Sequence, residues 1–386
     1  MRFLHTADWH VGKAIRGRSR LEEFADALAE IAGIARDERV DAVLLAGDIY
    51  DQRLPVPGAD HLVFEFFVRM HEAGVPVVAI PGNHDSADRL GALAQLLHPM
   101  GITVVHKPLR PDAGGIVRIQ GRDGTEAEIA CVPFVPERRY AEPAALFGSA
   151  GEWHQSYADG MGHLLGAYAA AMSPDRVRIV LAHVFAAGTR MGGGEREVTI
   201  GLNYAIAPAR LPGTVNYLAL GHVHRAQDVP GAPAHARYPG SILQLDFGDV
   251  GQAKSVTIVD AKPGTPAQVR EVELSAGRRL IDIRGTFDEV AARAPEVAGA
   301  YVRAFVATDG PVPGMAERVR EVIPGAVDVR LAYERVEGEA AHAGLSTLNP
   351  HEQFNAYYRQ AHGSDPHPAV AEAFDEILAE MAGESL

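Results

Sequence analysis

The stretch VPVVAIPGNHD, residues 75–85, decides the fold of this chain. An apolar run leads directly into a Pro-Gly pair and then into the polar residues Asn83, His84 and Asp85. A short, continuous apolar run is typical of a strand that is buried on both faces of a parallel sheet. Ligands bind beyond the carboxyl ends of the strands in such sheets, so a functional site is predicted where this strand ends. Asp85 is predicted only to hold the turn.

The sequence before this strand alternates between strand and helix patterns. Strands are predicted at residues 2–6 and 40–46, and helices at residues 21–35 and 59–72. This order at short spacing predicts right-handed crossovers and a sheet with a parallel core.

A second β-rich region follows the same strand. Residues 137–155 are predicted to be a loop, and the Gly-rich residues 188–194 a mobile segment. Two strand layers with flanking helices place the chain in the α/β (α+β) fold class. The further predicted strands are at residues 102–105, 116–119, 127–134, 177–182, 215–220, 238–247 and 254–259, and the further helices at residues 88–97 and 157–172.

The remainder of the chain is predicted to form additional domains. Pro and Gly content predicts a linker at residues 260–266, and a second linker is predicted at residues 337–343. Between them, residues 279–331 have the pattern of a small β-α-β-α-β module. An N-cap residue, a proline and a glutamate at residues 349–352 begin a helix, and another helix follows from about residue 368. The predicted domain boundaries are 1–267, 275–337 and 345–384.

Length and composition exclude several classes of protein. A chain of 386 residues is longer than an ordinary domain with a single hydrophobic core, so more than one domain is expected. Its composition, with 47% hydrophobic and 22% charged residues, is that of a globular protein. The only cysteine, Cys131, lies in an apolar run and is predicted to be a buried core residue. No signal-peptide pattern or membrane-spanning run is present, so a cytoplasmic protein without membrane attachment is expected.

The formal net charge of −14 gives little support to a large basic surface for nucleic acid. It is a global sum, however. Carboxylates that bind metal cations contribute to this charge without repelling a phosphate substrate, because the ions invert the local field.

Five predicted strands end in residues that can bind metal ions. Two ions that share a carboxylate would use the whole set, and such an ion pair clamps both oxygens of a displacement at phosphorus. Oxygen and imidazole ligands without thiolates suit Mn²⁺, Fe or Zn²⁺ at a hydrolytic site. Each residue alone is more often structural, but the ordered combination predicts chemistry on phosphate. The seven candidate ligands are Asp8, His10, Asp48, Asn83, His183, His222 and His224.

The ordered motifs D-x-H, GD, GNHD, a strand-terminal histidine and GHVH resemble the calcineurin-like metallophosphoesterase superfamily over roughly residues 1–260. The resemblance implies a β-sandwich flanked by helices. It also implies that His84 binds no metal and acts as the general acid or stabilises the transition state, a role that suits imidazole. By the same resemblance, one ion would be held by Asp8, His10 and His224, the other by Asn83, His183 and His222, and both by Asp48.

Longer stretches resemble the bacterial SbcD nuclease-subunit family, which is related to the nuclease of the archaeal and eukaryotic double-strand-break repair complex. These stretches are HTADWHVGK, GDIYDQRLP, PGNHDSADRL, GHVHRAQ and YPGSILQLDFGD. The resemblance implies a nuclease domain at residues 1–267, a DNA-binding capping domain at 275–337, and C-terminal helices at 345–384 that bind an SbcC-type coiled-coil ATPase. The alternative for these helices is packing on their own domain. The chain has neither a P-loop motif nor a heptad run, so ATP would act only through the partner.

Several charged residues have two open interpretations. Asp51 is predicted either to orient His84 or to be a solvated loop carboxylate. Arg89 follows the GNHD motif and is a candidate for phosphate contact. Near the first site loop, three arginines are predicted either to contact a DNA backbone or to be solvated: Arg16, Arg18 and Arg20.

The resemblance implies a nuclease subunit of an SbcCD-like complex that hydrolyses DNA with two divalent ions, Mn²⁺ first, with Mg²⁺, Fe and Zn²⁺ still open. Implied activities are 3'-5' exonuclease on double strands and endonuclease on single strands and hairpins, in DNA end processing, recombination, replication and repair. The protein would be a homodimer within a heterotetramer at the nucleoid. The alternatives are a stand-alone phosphodiesterase or phosphatase on nucleotides, which needs no extension after residue 270, and an architectural DNA-end-bridging protein, against which the complete ligand set argues.

Overall fold

The computed structural model describes residues 1–136, 157–192, 205–333, 350–362, 365–367, 370–371 and 373–374. The chain divides into two compact units. Residues 1–307 with 313–331 form the first unit, and residues 308–312 with 332–386 form the second.

Strands and helices of the described residues are numbered in chain order. The strands are β1 (Arg2–Thr6), β2 (Ala42–Ala46), β3 (Val77–Ile80), β4 (Ile102–Val104), β5 (Ile116–Gln120), β6 (Glu126–Val132), β7 (Val177–His183), β8 (Tyr217–Gly221), β9 (Gln227–Asp228), β10 (Ala236–Tyr238), β11 (Ser255–Asp260), β12 (Gln268–Glu273), β13 (Leu280–Gly285), β14 (Tyr301–Ala307) and β15 (Ala326–Ala332). The α-helices are α1 (Leu21–Asp37), α2 (Ala59–Glu72), α3 (Ala87–Leu97), α4 (Tyr157–Ala171), α5 (Phe287–Ala292), α6 (Met315–Val322) and α7 (Pro350–His362).

Two six-stranded sheets form the centre of the first unit. The first has the order β12-β11-β1-β2-β3-β4, and the second β5-β6-β7-β8-β10-β9. Strands β1 to β4 are parallel to one another, and so are β6, β7 and β8. Their carboxyl ends therefore meet at one edge of each sheet, which is where the predicted site residues follow the strands.

The two sheets pack face to face and are covered by helices on their outer faces. Phe3, Leu44 and Val78 of the first sheet share one core cluster with Ile129 and Leu181 of the second. Every residue of β2 and of β3 is buried, which explains why both read as continuous apolar runs. The outer clusters join the first sheet to α1, α2 and α3, and the second sheet to α4. The predicted α/β sandwich with flanking helices is confirmed.

Two sequence predictions in this unit are wrong. The strand predicted at residues 238–247 ends at Tyr238, because Pro239 has no N–H to donate to a ladder and Gly240 has a left-handed φ of 79°. The linker predicted at 260–266 is the turn between β11 and β12, which pair in antiparallel fashion. The first sheet therefore continues through β12, beyond the predicted boundary at residue 267.

Residues 280–332 form the predicted small module, with sheet order β13-β14-β15 and a parallel β13–β14 pair. The resemblance-based function of this module as a DNA-binding cap stays a prediction. Helix α5 begins with a capping box. The Thr286 hydroxyl accepts from the N–H of Glu289, and the Glu289 carboxylate accepts from the N–H of Thr286.

The three arginines of the first site loop connect to this module and its surroundings. Arg20 is buried and pairs with Glu23 at 2.9 Å, so neither of its two interpretations, a solvated side chain or a DNA contact, fits its position. The hydroxyl of Tyr301 donates to the same glutamate at 2.8 Å. Arg16 lies 3.3 Å from the Asp328 carboxylate, and Arg18 donates to a main-chain carbonyl of the module at 3.1 Å. These contacts attach the module to the sandwich.

The second unit contains α7, as the capping pattern predicts. The ring of Phe354 stacks on that of Phe374 with centroids 4.1 Å apart, which joins α7 to the second predicted helix. The loop predicted at 137–155 and the linker predicted at 337–343 lie outside the described residues, as does part of the Gly-rich segment. Among the helices that the structure describes, none has the length and apolar character needed to cross a membrane.

Candidate metal centre

Backbone strain is concentrated at the ends of the central strands. Left-handed φ angles occur at Asp8 (51°), His10 (50°), Asp48 (49°) and His222 (110°), all of them predicted ligands. Such a conformation costs a non-glycine residue on the order of 1–3 kcal/mol and persists only where the surroundings impose it. The fold therefore imposes a strained backbone conformation on these four residues at an energetic cost.

Hydrogen bonds between strand ends impose this conformation. The N–H of Asp8 donates to the carbonyl of Gly47 at 3.0 Å, and that of His10 donates to the carbonyl of Asp48 at 2.9 Å. The N–H of His222 donates to the Asp8 carboxylate at 2.9 Å, across a sequence separation of 214 residues. The ends of β1, β2 and β8 are thus joined directly.

Glycines precede several of the predicted ligands because the backbone segments approach closely. A Cβ at Gly82 would collide with the Asp48 side chain, and a Cβ at Gly221 would collide with the carbonyl of Ala46. The GN and GH pairs of the sequence motifs therefore have a steric origin.

The first ligand group contains Asp8, His10, Asp48 and His224, whose candidate ligand atoms all lie within 4.8 Å of one another. The Nε2 atoms of His10 and His224 are 3.0 Å apart. The Asp48 carboxylate lies 3.5 Å from Nε2 of His10. All four residues are buried.

The second group contains Asp48, His183 and His222, again within 4.8 Å. The amide oxygen of Asn83 completes it, at 3.0 Å from Nε2 of His183 and 2.9 Å from Nδ1 of His222. Asp48 is therefore the one carboxylate that both groups share. The structure brings together all seven residues that the sequence singled out.

The electrostatics of the two groups fit divalent cations. Burial by itself raises the pKa of Asp48, but the imidazoles of His183 and His10 overcome this effect and hold its pKa at about 2. Burial lowers the pKa of His183 and, more strongly, that of His224. Ionised carboxylates and unprotonated imidazoles, with no thiolate, are the donor set that Mn²⁺, Fe and Zn²⁺ bind. The residues therefore fit two such ions.

Hydrogen bonds to the second ring nitrogen fix two of the imidazoles. Nδ1 of His183 donates to the carbonyl of Ala46 at 2.8 Å, which leaves Nε2 to face the second group. Nδ1 of His10 faces the Asp51 carboxylate at 3.4 Å, which leaves Nε2 to face the first group. A carboxylate behind an imidazole raises its basicity and fixes its orientation toward a metal ion. This contact of Asp51 with His10 was missed, since the sequence has no local signal for it.

His84 is buried beside the first group without being one of its members. Its N–H donates to the Asp48 carboxylate at 2.8 Å, and its Nδ1 donates to the main-chain carbonyl of Asp51 at 2.7 Å. Its ring lies 4.5 Å from the ring of His10, edge to face. Asp51 thus contacts His84 through its main chain. Its carboxylate also pairs with Lys13 at 3.1 Å, and with His10 and Lys13 opposing the effect of burial, its pKa is lowered.

Asp85 and Arg89 have structural partners in the same region. The Asp85 carboxylate accepts from the N–H groups of Ile49, Tyr50 and Gly82 at 2.9–3.1 Å, which holds the turn as expected. Burial, and then the charge of Asp48, raises the pKa of Asp85 to about 6. Arg89 pairs with Asp60 and lies over the Tyr50 ring, 5.3 Å from its centroid. Its contact with phosphate stays a prediction.

Two protein-family models match parts of this chain. The family model described as calcineurin-like phosphoesterase matches residues 1–226, so the chain belongs to the calcineurin-like phosphoesterases. A second model, described as the type 5 capsule protein repressor C-terminal domain, matches residues 276–362.

Sequence identity to individual proteins assigns the chain to a narrower family. The chain is 32% identical to the SbcD subunit of the nuclease SbcCD from Bacillus subtilis, over 98% of this chain and 97% of that protein. It is also 32% identical to the SbcD subunit from Rhodobacter capsulatus, over 60% of each chain. With the SbcD subunit from Escherichia coli K12 it shares 31% identity, over 60% of this chain and 58% of that one. This chain belongs to the SbcD family. In the last two relatives the match spans less than two thirds of their length.

Proposed function

We propose that this chain is the nuclease subunit of an SbcCD-like complex and hydrolyses DNA phosphodiester bonds with two divalent metal ions. The observation that carries this proposal is the position of Asp48, which belongs to both ligand groups at once. One shared carboxylate between two buried sets of donors is the arrangement that a two-ion site requires.

Each ion would have its own set of protein ligands. Asp8, His10 and His224 would hold one ion, a second set would hold the other, and Asp48 would contribute to both. When bound, two divalent ions would supply charge stabilisation for a displacement at phosphorus. Mn²⁺ is the first proposed metal, with Mg²⁺, Fe and Zn²⁺ as the alternatives. The second set is Asn83, His183 and His222.

His84 acts on the substrate. Because its Nδ1 donates to the Asp51 carbonyl, its Nε2 is the nitrogen that donates a proton to the leaving oxygen or stabilises the transition state. A buried imidazole that is fixed at one nitrogen and adjoins the bridging carboxylate is well placed for general-acid catalysis. Arg89 is a weaker candidate, for phosphate contact, because Asp60 already pairs with it.

The length of the match to the Bacillus subtilis protein supports a role within a complex. In this proposal the partner is an SbcC-type coiled-coil ATPase, and ATP acts only through it. The substrates are double-stranded ends, hairpins and single strands, cut in the course of DNA end processing, recombination and repair. We further propose a homodimer within a heterotetramer at the nucleoid, with residues 275–337 as the cap and 345–384 as the ATPase-binding helices.

The test is cleavage of end-labelled duplex and hairpin DNA with Mn²⁺, Mg²⁺ or Zn²⁺, with and without partner and ATP. His84→Gln should retain two bound ions and DNA binding but lose cleavage. Asp8→Ala should lose an ion as well. His71→Gln, an exchange of the same kind at an exposed histidine on α2, is the matched control and should cleave normally. Normal cleavage by a folded His84→Gln protein would refute the assigned role.

A further inference from the structure

The motif YPGSILQLDFGD at residues 238–249 lies outside the ligand set, yet two of its polar residues, Ser241 and Asp249, are buried. Asp249 is fully buried, and Lys254, five residues later, has a side chain that is only 7% exposed. The Lys254 ammonium lies 3.3 Å from the Asp249 carboxylate. The same carboxylate accepts from the N–H of Leu245 at 2.8 Å. A buried ammonium is costly unless it is paired and hydrogen-bonded, so its location needs an explanation.

The Lys254 ammonium is directed at the loop that carries two of the predicted ligands. It donates to the main-chain carbonyl of His224 at 3.0 Å. The N–H of Ser241 donates to the same carbonyl at 3.0 Å, and the Ser241 hydroxyl does so at 3.4 Å. One carbonyl oxygen thus receives two neutral donors from Ser241 of the motif and one charged donor from Lys254, the residue before β11. Charge-assisted hydrogen bonds are shorter and stronger than neutral ones.

The motif also approaches this loop too closely for any side chain at Gly240. A Cβ there would lie 2.7 Å from the carbonyl oxygen of His224 and 2.7 Å from the N–H nitrogen of Ala226. The Pro-Gly-Ser turn therefore supports the back of the ligand loop, while the imidazole on its front lies 3.0 Å from that of His10.

We propose that Lys254 is a positioning residue for the metal centre and acts through the main-chain carbonyl of His224. Asp249 in turn fixes Lys254. This inference rests on the proposed two-ion function. It adds that the ammonium fixes the peptide after His224 and thereby the direction of the imidazole toward the first ion, without binding the ion itself.

The same fold contains a matched buried cation that does not touch the ligand loop. The side chain of Arg237 is also 7% exposed, and it pairs with Asp228, Glu271 and the Thr257 hydroxyl. If a buried cation served only the stability of the sheets, its removal would have the same consequences at both positions. If Lys254 positions His224, only one of the two removals changes metal binding.

The test is Mn²⁺ binding by isothermal titration calorimetry on the full-length protein, together with its thermal unfolding. Lys254→Met should weaken one of two Mn²⁺ sites by about 10- to 100-fold, the usual effect of removing a residue that supports a ligand. Arg237→Met should lower the unfolding temperature and leave both affinities unchanged. Lys254→Met should also change the electron paramagnetic resonance spectrum of bound Mn²⁺, which a loss of stability alone would not do.

Unchanged affinities and spectrum in a folded Lys254→Met protein would overturn the inference, as would equal losses of affinity in both variants. If Lys254→Met does not fold, Asp249→Asn replaces it, since it removes the carboxylate that fixes the ammonium and keeps the side-chain volume. It should weaken the same site, and unchanged affinity there would also overturn the inference. A wild-type protein that binds no Mn²⁺ would overturn the proposed function along with it.

Discussion

The buried histidine on β1 should make the stability of this protein strongly dependent on pH. His5 is fully buried beside Tyr217, whose hydroxyl lies 3.0 Å from its Nδ1. Burial, with the nearby charge of Arg237, lowers the pKa of His5 from its ordinary 6.5 to about 3. His5 therefore binds a proton near pH 6.5 in the unfolded chain, but only near pH 3 in the folded protein. The stabilising contribution of the buried, neutral His5 side chain is complete above the pKa that His5 has in the unfolded chain. It is lost progressively as the pH falls below that pKa.

The magnitude follows from the width of this interval. Each pH unit below the unfolded pKa costs about 1.4 kcal/mol, so acidification to about pH 5 removes about 2 kcal/mol through His5 alone. His5→Asn keeps a polar atom near the Nδ1 position and removes the titration. The variant should be less stable at neutral pH because of the smaller side chain, but this loss does not depend on pH.

The assay is urea unfolding with excess Mn²⁺ at several pH values between about pH 5 and pH 8, where His5 titrates only in the unfolded chain. The free energy of unfolding of wild-type protein should fall by about 2 kcal/mol more over this range than that of His5→Asn. All other titrating groups are common to both proteins and cancel in the difference. His61→Asn, at a side chain that is 81% exposed, is the control and should follow the wild type. Parallel curves for wild type and His5→Asn would refute the reasoning.

Three further changes test other parts of the structure. Asp51→Asn removes the carboxylate behind His10 and should weaken Mn²⁺ binding by about 10- to 100-fold in a calorimetric titration; full affinity would contradict this support. Gly82→Ala places a Cβ against the Asp48 side chain and should abolish metal binding. Gly33→Ala in α1, where a Cβ meets nothing within 4 Å, should instead raise the free energy of unfolding by about 0.5–1 kcal/mol. Deletion of residues 346–386 should abolish co-purification with the ATPase partner and preserve Mn²⁺-dependent hydrolysis of a chromogenic phosphodiester; retained co-purification would show that these helices serve another purpose.

The cluster of seven candidate ligands could be predicted from the sequence because each member has a local signal. Asp48 and Asn83 each follow a buried strand and a glycine, and His183 ends another such strand. Apolar runs locate strand ends, and parallel pairing brings those ends together, so one rule predicts the whole cluster. The bounds of α2 follow in the same way from its helical period.

The errors occurred where the same pattern has two structural explanations. Leu243, Leu245 and Phe247 have the alternating pattern of a strand, but they lie outside the strands. Leu243 and Leu245 pack into one core cluster and Phe247 into another. Residues 260–266 have the composition of a linker and also that of a hairpin turn, and only the pairing of β11 with β12 distinguishes them. The contact of Asp51 with His10 depends on how two separate loops meet, which one sequence does not encode locally. Arg20 and Glu23, in contrast, are three residues apart at the start of α1, so their pairing is a local contact.

The pairing of β1 has a consequence for the order in which the protein becomes active during synthesis. This strand is made first, yet one of its two neighbours in the sheet is β11, at residues 255–260. Contacts so distant in sequence form late, because the intervening chain must be closed into a loop at an entropic cost. A ribosome-bound chain that lacks residue 224 has Asp8 and His10 but not the second imidazole of their group. In the proposed function, an incomplete chain therefore cannot cut DNA, and nuclease activity appears only after β11 has paired with β1.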